Sequence, residues 1–367
     1  MSYASLGECL SLGVKARVLY SRLLTESDYW MLLGSDTVAE IAAKLRAKEA
    51  YRGQIALLPQ EVRRYDLEAA IKMNLLAQAK TFLIHFSNPR DGFFRAWISL
   101  YEAENLKSIF RNIAAGRTDR EALRRRLYTI PGTKVAYDNL LAARNFTELA
   151  EALRPSPYGR ALSDPLKRLG TGEEKTLFPL EMACDSFVEM LLYRWMKKLE
   201  PREREALMPI FGTRIDLLNI YILYRSLVFY NMTPEETLNR LLPARYRITI
   251  KFLREAARAR TYEALAGMLE ERFPDYASVL TGSLTQDEPQ LAMERNIKRR
   301  LMAQALRVYS HGAPGFHTAM SYFVIKQYEI EDLIRIIEDV RYGYDRKHAA
   351  AYLIKEILAG GDAEWQS

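Results

Sequence analysis

The chain has 367 residues, of which 49% are apolar and 27% are charged, and its mean hydropathy is -0.21. This composition excludes an intrinsically disordered chain and predicts a soluble, folded protein with a substantial core. No run reaches the roughly 18 to 20 apolar residues of a membrane span, and the N-terminus lacks the features of a signal peptide. A cytosolic protein is therefore expected.

Helical periodicity extends along the chain, and strand-like alternation is rare, so an almost entirely helical protein is predicted. The longest candidate loop is 154–180, which contains four prolines. The most apolar window, "LLNIYILYRSLVFY" at 217–230, contains Arg225 and predicts a buried helix. Cys9 and Cys184 are the only cysteines, and reduced thiols are expected because two cysteines make no disulfide framework.

Two patterns recur three times in the same order. The first, termed the cassette, has a hydrophobe–Ala–x–x–Leu core and a tyrosine within seven residues of the final leucine. The second has an acid, then Asn or Asp three residues later, followed by spaced apolar residues. Cassettes are "VAEIAAKLR" at 38–46, "FTELAEALR" at 146–154 and "YEALAGMLE" at 262–270, with Tyr51, Tyr158 and Tyr276. Copies of the second pattern are "EAENLKSIFR" at 102–111, "DLLNIYILYR" at 216–225 and "EIEDLIRIIE" at 329–338.

The repetition predicts an all-α protein of three similar multi-helix units around a pseudo-threefold axis. The predicted units are residues 1–125, 126–240 and 241–367, the last with a C-terminal tail. The period of the acids, 102 to 216 to 329, is too long for a solenoid of repeats of roughly 20 to 50 residues. Each unit is therefore expected to be nearly a small domain.

The second pattern places polar side chains beside an apolar helix face. Buried polar groups need partners, so these side chains are predicted to hydrogen-bond a neighbouring helix and fix its register. Contact with a partner protein or an ion is the alternative. The third copy departs from the pattern, with Asp332 in place of the amide and Glu338 in place of the arginine, and Arg335 or Arg341 is a candidate to compensate. The signature residues are Glu102, Asn105, Arg111, Asp216, Asn219, Arg225, Glu329 and Asp332.

Catalytic motifs are not found in the sequence. None of the four histidines forms a His-Glu-x-x-His pair, and His85 in "FLIHF" is expected to be a core residue. "GTGEEKT" at 170–176 lacks the spacing of a phosphate loop and predicts a charged turn. We therefore expect a protein that is not an enzyme, without a catalytic, cofactor or metal site.

The net charge of +7 includes two basic clusters, "REALRRRL" at 120–127 and "ERNIKRRL" at 294–301. A solvated or protein-facing surface is the simpler interpretation, because acids are interspersed among the basic residues. A basic helical adaptor for nucleic acid is the alternative function, although no aromatic RNA-binding motif accompanies the charge. The candidate partner-facing residues are Arg124, Arg125, Arg126, Arg295, Lys298, Arg299 and Arg300.

The order of these patterns resembles the C subunit of the prokaryotic A/V-type rotary ATPases, which is the relative of the d subunit of the eukaryotic V-ATPase. The resemblance covers the whole chain and is carried by "SRLLTESDYWMLL" at 21–33, "TRIDLLNIYILYR" at 213–225 and "VIKQYEIEDLIRIIEDVRYGYD" at 324–345. It implies an all-helical funnel of three similar units that binds no nucleotide or other cofactor.

The resemblance also implies partners and a location. The funnel would lie at the cytoplasmic face of the membrane, as a peripheral protein without a transmembrane segment, on the rotor ring of proteolipid subunits. It would receive the central shaft, made of D- and F-type subunits, and would bind no nucleic acid. As a non-catalytic part of the central stalk, it would couple ATP hydrolysis or synthesis to the translocation of H⁺ or Na⁺.

Overall fold

The computed structural model describes residues 3–281 and 289–357, with the side chains of 10–280 and 290–357. Across these residues the regular secondary structure is helical, in nineteen helices and no strand, which confirms the all-α prediction. The first ten helices are α1 Tyr3–Tyr20, α2 Glu26–Leu33, α3 Val38–Ala47, α4 Glu49–Ile55, α5 Arg64–Leu83, α6 Arg90–Ala114, α7 Arg120–Arg126, α8 Tyr137–Ala142, α9 Phe146–Leu153 and α10 Gly159–Thr171. The others are α11 Phe178–Met196, α12 Pro201–Val228, α13 Pro234–Arg240, α14 Ile250–Ala256, α15 Tyr262–Arg272, α16 Pro274–Thr281, α17 Pro289–Ser310, α18 Phe316–Tyr342 and α19 Arg346–Ala351.

The described residues form two compact units. Met1–Arg64 and Glu200–Ser367 belong to one, termed the terminal unit, and Tyr65–Leu199 forms the other, termed the middle unit. Described residues from the N-terminal and the C-terminal parts of the chain thus contribute to the same unit. The division of the chain into the three repeats 1–125, 126–240 and 241–367 remains a prediction.

The cassette helices α3, α9 and α15 begin in the same way. Thr37, Asn145 and Thr261 each accept a hydrogen bond at the helix N-terminus from a backbone N–H three residues further on. Such caps satisfy donors that have no partner within the helix. The shared spacing of the apolar cassette positions then directs two aliphatic side chains of each helix into the core, namely Ile41 and Leu45, Leu149 and Leu153, and Leu265 and Leu269.

In the terminal unit α18 is the central helix. It packs against α1 and α17, and α17 packs in turn against α12. Gly13 of α1 allows a close approach to the start of α18, because a Cβ atom there would lie 2.4 Å from the backbone nitrogen of Gly315. The side chains of Phe323, Leu333 and Ile336 on α18 are completely buried. This packing fixes the position of a long helix that carries signature residues.

In the middle unit α6 packs against α11, and α10 packs against α9 and α11. Leu106, Ile109 and Phe110 of α6 belong to one core cluster with the cassette leucines of α9 and with Cys184. The Cys184 thiol is free and buried, as expected, whereas the side chain of Cys9 lies outside the described residues.

Three local expectations can be compared with the structure. The predicted loop 154–180 is wrong over its central part, because α10 occupies Gly159–Thr171 and buries Leu162 and Leu166 despite the internal Pro165. The core position of His85 is also wrong, because its side chain is exposed just beyond the end of α5. The turn predicted at 170–176 is confirmed from residue 172 onward, because residues 170 and 171 are still part of α10 and Gly172 ends that helix at a φ of 79°.

The apolar window at 217–230 lies mainly in a buried helix, α12, as predicted. Among the described residues α12 is the one helix whose length and hydropathy would allow it to cross a membrane. Its most apolar 18-residue window is 61% buried inside the protein, which is typical of a core helix in a globular fold.

Candidate functional site

The signature residues lie on the three longest described helices. These are α6, α12 and α18, with 25, 28 and 27 residues. The acids Glu102, Asp216 and Glu329 are only 6%, 0% and 3% exposed. Carboxylates this deeply buried require hydrogen-bond donors. For Asp216 those donors are mainly backbone N–H groups, whereas Glu102 and Glu329 are bound mainly by side-chain donors.

Asp216 shows the arrangement most completely. Its Oδ1 atom accepts a hydrogen bond from the N–H of Tyr246 at 2.9 Å. Its Oδ2 atom accepts from the N–H groups of Arg247 at 2.7 Å and Ile248 at 3.2 Å, and from the hydroxyl of Tyr276 at 3.2 Å. Burial raises the pKa of the Asp216 carboxyl, and the three N–H bonds oppose that rise.

Asn219 holds the beginning of the same segment. Its Oδ1 atom accepts from the N–H of Leu242 at 2.8 Å, and its Nδ2 donates to the carbonyl of Ala244 at 3.2 Å. The acid and the amide therefore fasten residues 242–248 to α12. We term the two signature side chains and the segment that they bind a clamp. The prediction was that these side chains hydrogen-bond a neighbouring helix. It is wrong for the backbone groups that Asp216 and Asn219 bind, because residues 242–248 are not helical.

The clamp on α6 has the same spacing. Asn105 accepts from the N–H of Tyr128 at 2.7 Å and donates to its carbonyl at 2.9 Å, and Tyr128 lies 23 residues further along the chain. Leu242 lies the same 23 residues beyond Asn219. Glu102 accepts a short hydrogen bond from the hydroxyl of Thr133. Burial raises the pKa of the Glu102 carboxyl.

The clamp on α18 uses a carboxylate in the amide position. Asp332 accepts from the N–H groups of Ile354 at 2.6 Å and Lys355 at 2.9 Å, and Lys355 lies 23 residues further on. A carboxylate has no N–H to donate, so a second backbone N–H takes the place of the carbonyl that an asparagine would bind. Burial raises the pKa of Asp332 to about 7.

A cassette tyrosine lies beside the acid of each clamp, and the hydroxyls of Tyr276 and Tyr51 donate hydrogen bonds to Asp216 and Glu329. The long helices α6 and α12 take the tyrosine of the cassette that follows them, and α18 takes the tyrosine of the first cassette, near the N-terminus. The pairs are Tyr158 with Glu102, Tyr276 with Asp216, and Tyr51 with Glu329. The first cassette and the last long helix thus build the third clamp together. The sequence signal for this was the order of the patterns, which begins with a cassette and ends with an acid helix.

Glu329 has one further partner that the other acids lack. Lys326 is completely buried, and its Nζ lies 2.7 Å from Oε1 of Glu329 and 3.8 Å from the ring centre of Tyr51. The N–H of Leu24 binds the second carboxylate oxygen at 2.6 Å. Burial lowers the pKa of Lys326, while the nearby carboxylate opposes that change. The third clamp therefore also contains a buried ion pair, which is contacted by Leu24 and Tyr51 of the N-terminal region.

The arginine position of the pattern is more exposed. Arg111 on α6 pairs with Glu181 at 2.7 Å, and Arg225 on α12 donates to the hydroxyl of Tyr230 at 2.7 Å. In the third copy Glu338 lies 3.6 Å from Arg64, a partner that the sequence did not indicate. The reversed charge on α18 is thus matched by a basic residue.

The basic cluster on α7 is at the surface. Arg124 pairs with Asp138, Arg125 donates to the carbonyl of Glu121, and Arg126 lies 4.8 Å from the ring centre of Tyr65. All three arginines are exposed. A partner contact for them remains a prediction.

The basic cluster on α17 makes many contacts within the chain. Arg295 is 9% exposed and donates to the carbonyl of Ala351, and Arg299 donates to the carbonyl of Leu353 at 2.7 Å. Lys298 pairs with Glu331 at 2.8 Å, and Arg300 lies 3.6 Å from Asp275. Two of these side chains therefore bind the last residue of α19 and the segment that follows it, and a partner role for the cluster remains a prediction.

Each clamp joins a long helix to residues outside that helix by hydrogen bonds. The acid oxygens accept hydrogen bonds from donors of the same chain, so their chemistry is structural. No group of three or more potential metal ligands occurs within the part of the chain that the structure describes. An all-α framework whose longest helices each hold a segment of the chain by buried acid or amide side chains defines a helical scaffold.

Comparison with known proteins identifies which scaffold this is. The model of the ATP synthase (C/AC39) subunit family matches residues 12–352, and the chain belongs to that family. One relative is the C subunit of the A-type ATP synthase of Methanosphaera stadtmanae. It is 25% identical to this chain over 300 residues, which cover 78% of this chain and 74% of the relative. These findings confirm the resemblance to the C subunit of the A/V-type ATPases and lend no support to a nucleic-acid adaptor.

Proposed function

We propose that the chain is a non-catalytic part of the central stalk that couples the central shaft of an A/V-type ATPase to its membrane rotor ring. Its partners would be the D- and F-type shaft subunits and the proteolipid ring, contacted from the cytoplasmic face. ATP hydrolysis or synthesis would then be linked to H⁺ or Na⁺ translocation. The match of the family model to residues 12–352 is the observation that carries this proposal.

The clamps support a mechanical role. A coupling protein must transmit torque without deforming, and tightly packed helices resist deformation. Each clamp adds buried hydrogen bonds between a long helix and a segment outside it, such as the four that Asp216 accepts. Three similar repeats around a pseudo-threefold axis would form the proposed funnel.

The test compares ATP turnover with ion uptake in vesicles that contain the ATPase, with and without this chain. Without the chain, the soluble head should still hydrolyse ATP, because its nucleotide sites lie on other subunits. Ion uptake driven by that hydrolysis should be lost and should return when the purified chain is added back. Full ion uptake without the chain would overturn the coupling role, and ATP hydrolysis by the purified chain would overturn the non-catalytic assignment.

The exposed cluster on α7 allows a sharper test of partner binding. Arg124→Gln with Arg125→Gln removes two exposed charges, and Arg258→Gln with Arg260→Gln removes two exposed charges elsewhere. If α7 binds a partner, the first variant should dissociate from the complex at lower salt than the second, because screening weakens the remaining charge contacts. Equal salt sensitivity of the two variants would show that α7 is solvated.

A further inference from the structure

We propose that residues 341–348, where α18 ends and α19 begins, form a contact surface for anionic lipid headgroups. We term these residues the aromatic–basic tip. This inference goes beyond the proposed function, which concerns protein contacts with the shaft and the ring. It rests on side-chain exposure, the arrangement of aromatic rings and the local balance of charge.

The tip exposes two large aromatic side chains. Tyr342 is 62% exposed and Tyr344 is 56% exposed. Gly343 adopts a φ of 68°, which ends α18 and turns the chain between the two tyrosines. The rings of Tyr342 and Tyr344 lie 6.1 Å apart, and the ring of His348 lies 6.2 Å from that of Tyr344. The turn thus presents a row of amphipathic rings.

The tip is also basic. Arg341, Arg346 and Lys347 are exposed, and Asp345 is the single acid between residues 341 and 348. The Asp345 carboxylate accepts hydrogen bonds from the N–H groups of Lys347 and His348 at the start of α19. The carboxylate is therefore engaged locally, and the surface retains an excess of positive charge.

The combination favours a membrane surface as the occupant. Tyrosine is enriched at the headgroup level of membranes, where its ring is partly buried and its hydroxyl stays hydrated. Basic residues beside it are attracted to anionic lipids. Nucleic acid would instead need open ring faces for base stacking, and the guanidinium of Arg341 lies 5.4 Å from the ring centre of Tyr342.

A second described helix ends in a similar way. Phe229 follows Asp216 of α12 at the same distance in sequence at which Tyr342 follows Glu329 of α18. Phe229 is 49% exposed, and the adjacent Tyr230 is 38% exposed. The tip at 341–348 differs by its additional basic residues, so it is the stronger candidate for a charged surface.

The experiment measures flotation of the purified full chain with vesicles of phosphatidylcholine alone and with vesicles that also contain phosphatidylglycerol. We expect binding to the anionic vesicles only. Arg341→Gln with Lys347→Gln should weaken that binding by roughly tenfold or more. Tyr342→Ser with Tyr344→Ser should weaken it by a similar factor, because headgroup-level burial of the rings is lost.

The control combines Tyr65→Ser with Arg258→Gln, which removes another exposed tyrosine and another exposed basic residue outside the tip. This control should bind anionic vesicles like the unmodified chain, and all variants should keep the same helical circular dichroism spectrum. Three results would each overturn the proposal: equal flotation with neutral and anionic vesicles, an equal loss in the control, or a loss of single-stranded DNA binding in the tip variants with vesicle binding unchanged. Because no other subunit is present, these results do not depend on the coupling assay.

Discussion

The hydroxyl of Tyr51 donates a hydrogen bond to Oε1 of Glu329 at 2.6 Å, although the two residues are 278 positions apart. Tyr51 is 0% exposed and Glu329 is 3% exposed. The bond joins the first cassette to the last long helix. The first cassette is therefore an integral part of the third clamp. Loss of the Tyr51 hydroxyl should destabilise the packing around Glu329 on α18.

Replacement of Tyr51 by phenylalanine should lower the free energy of unfolding by about 1–3 kcal/mol, because Glu329 loses a donor in a buried position. Urea unfolding followed by circular dichroism measures the change. Tyr65→Phe is the control, since Tyr65 is 48% exposed. Equal midpoints for the two variants would show that the Tyr51 hydroxyl contributes nothing to stability.

Asp216→Ala should be among the most destabilising single changes in α12. It leaves the N–H groups of Tyr246, Arg247 and Ile248 without their acceptor, and Ile248 is buried. Loss of several such bonds is expected to cost roughly 3–5 kcal/mol. Thermal unfolding of the variant and of the exposed control Asp138→Ala gives the comparison, and a similar melting temperature for both would contradict the clamp.

The double variant Asp216→Leu with Asn219→Leu should be less stable than Asp216→Ala. If the two polar side chains served only each other, joint replacement by apolar residues would relieve the cost of a single removal. They bind the backbone of different residues instead. The double change therefore also leaves the N–H of Leu242 and the carbonyl of Ala244 without their hydrogen-bond partner. If the double variant were more stable than Asp216→Ala, the backbone groups that lose Asp216 and Asn219 would be hydrogen-bonded by water instead.

The helical class, the burial of α12 and the burial of the signature acids were all predictable, because they follow from local spacing of apolar and polar residues. The partners of those acids were not. Asp216 binds backbone N–H groups, which nearly every residue carries, so no side-chain pattern at 246–248 reveals the contact. The buried ion pair of Lys326 with Glu329 was not predicted either, because a lysine three residues before an acid is common on exposed helix faces.

Tertiary packing also overrode local signals. The prolines of 154–180 indicated a loop, but Leu162 and Leu166 have a helical spacing and are buried in α10. His85 lies in an apolar run, yet α5 ends at Leu83 and leaves it exposed. The pairing of Tyr51 with α18 required knowing that the chain ends meet, which repeat order alone could only suggest.

Asp332 should make stability depend on pH. An aspartate in the unfolded chain titrates near pH 4, whereas burial raises the pKa of Asp332 to about 7. Between these values the folded protein keeps a proton that the unfolded chain has released, so the free energy of unfolding falls as pH rises from about 4 to about 7. Asp332→Asn removes this dependence.

The measurement is urea unfolding of the wild type and Asp332→Asn across this range. The stability of the wild type relative to the variant should fall by on the order of 2–4 kcal/mol as pH rises from about 4 to about 7. Asp339→Asn is the comparison, because burial raises the pKa of Asp339 to about 6. The pH range over which Asp339 changes the free energy of unfolding should therefore end at a lower pH than that of Asp332. A pH-independent difference between wild type and Asp332→Asn would contradict the raised pKa.

The ion pair of Lys326 and Glu329 should be strongly coupled. Their side chains are 0% and 4% exposed, and removal of one partner leaves the other charge buried. Lys326→Met should therefore cost roughly 3–5 kcal/mol, and Glu329→Gln a comparable amount. The double variant should recover more than half of the summed loss, because the new side-chain amide would keep an acceptor for the N–H of Leu24, would donate to the hydroxyl of Tyr51 and would carry no buried charge.

A double-mutant cycle in urea measures this coupling, and the pair Lys298 and Glu331 on α17 and α18 is its control. Those side chains are 41% and 29% exposed at a separation of 2.8 Å, so solvent screens their attraction. The control cycle should give a coupling energy below about 1 kcal/mol. If the losses from Lys326→Met and Glu329→Gln simply add, the buried pair is no more than two independent contacts, and Glu329 is held by its hydrogen bonds from Leu24 and Tyr51.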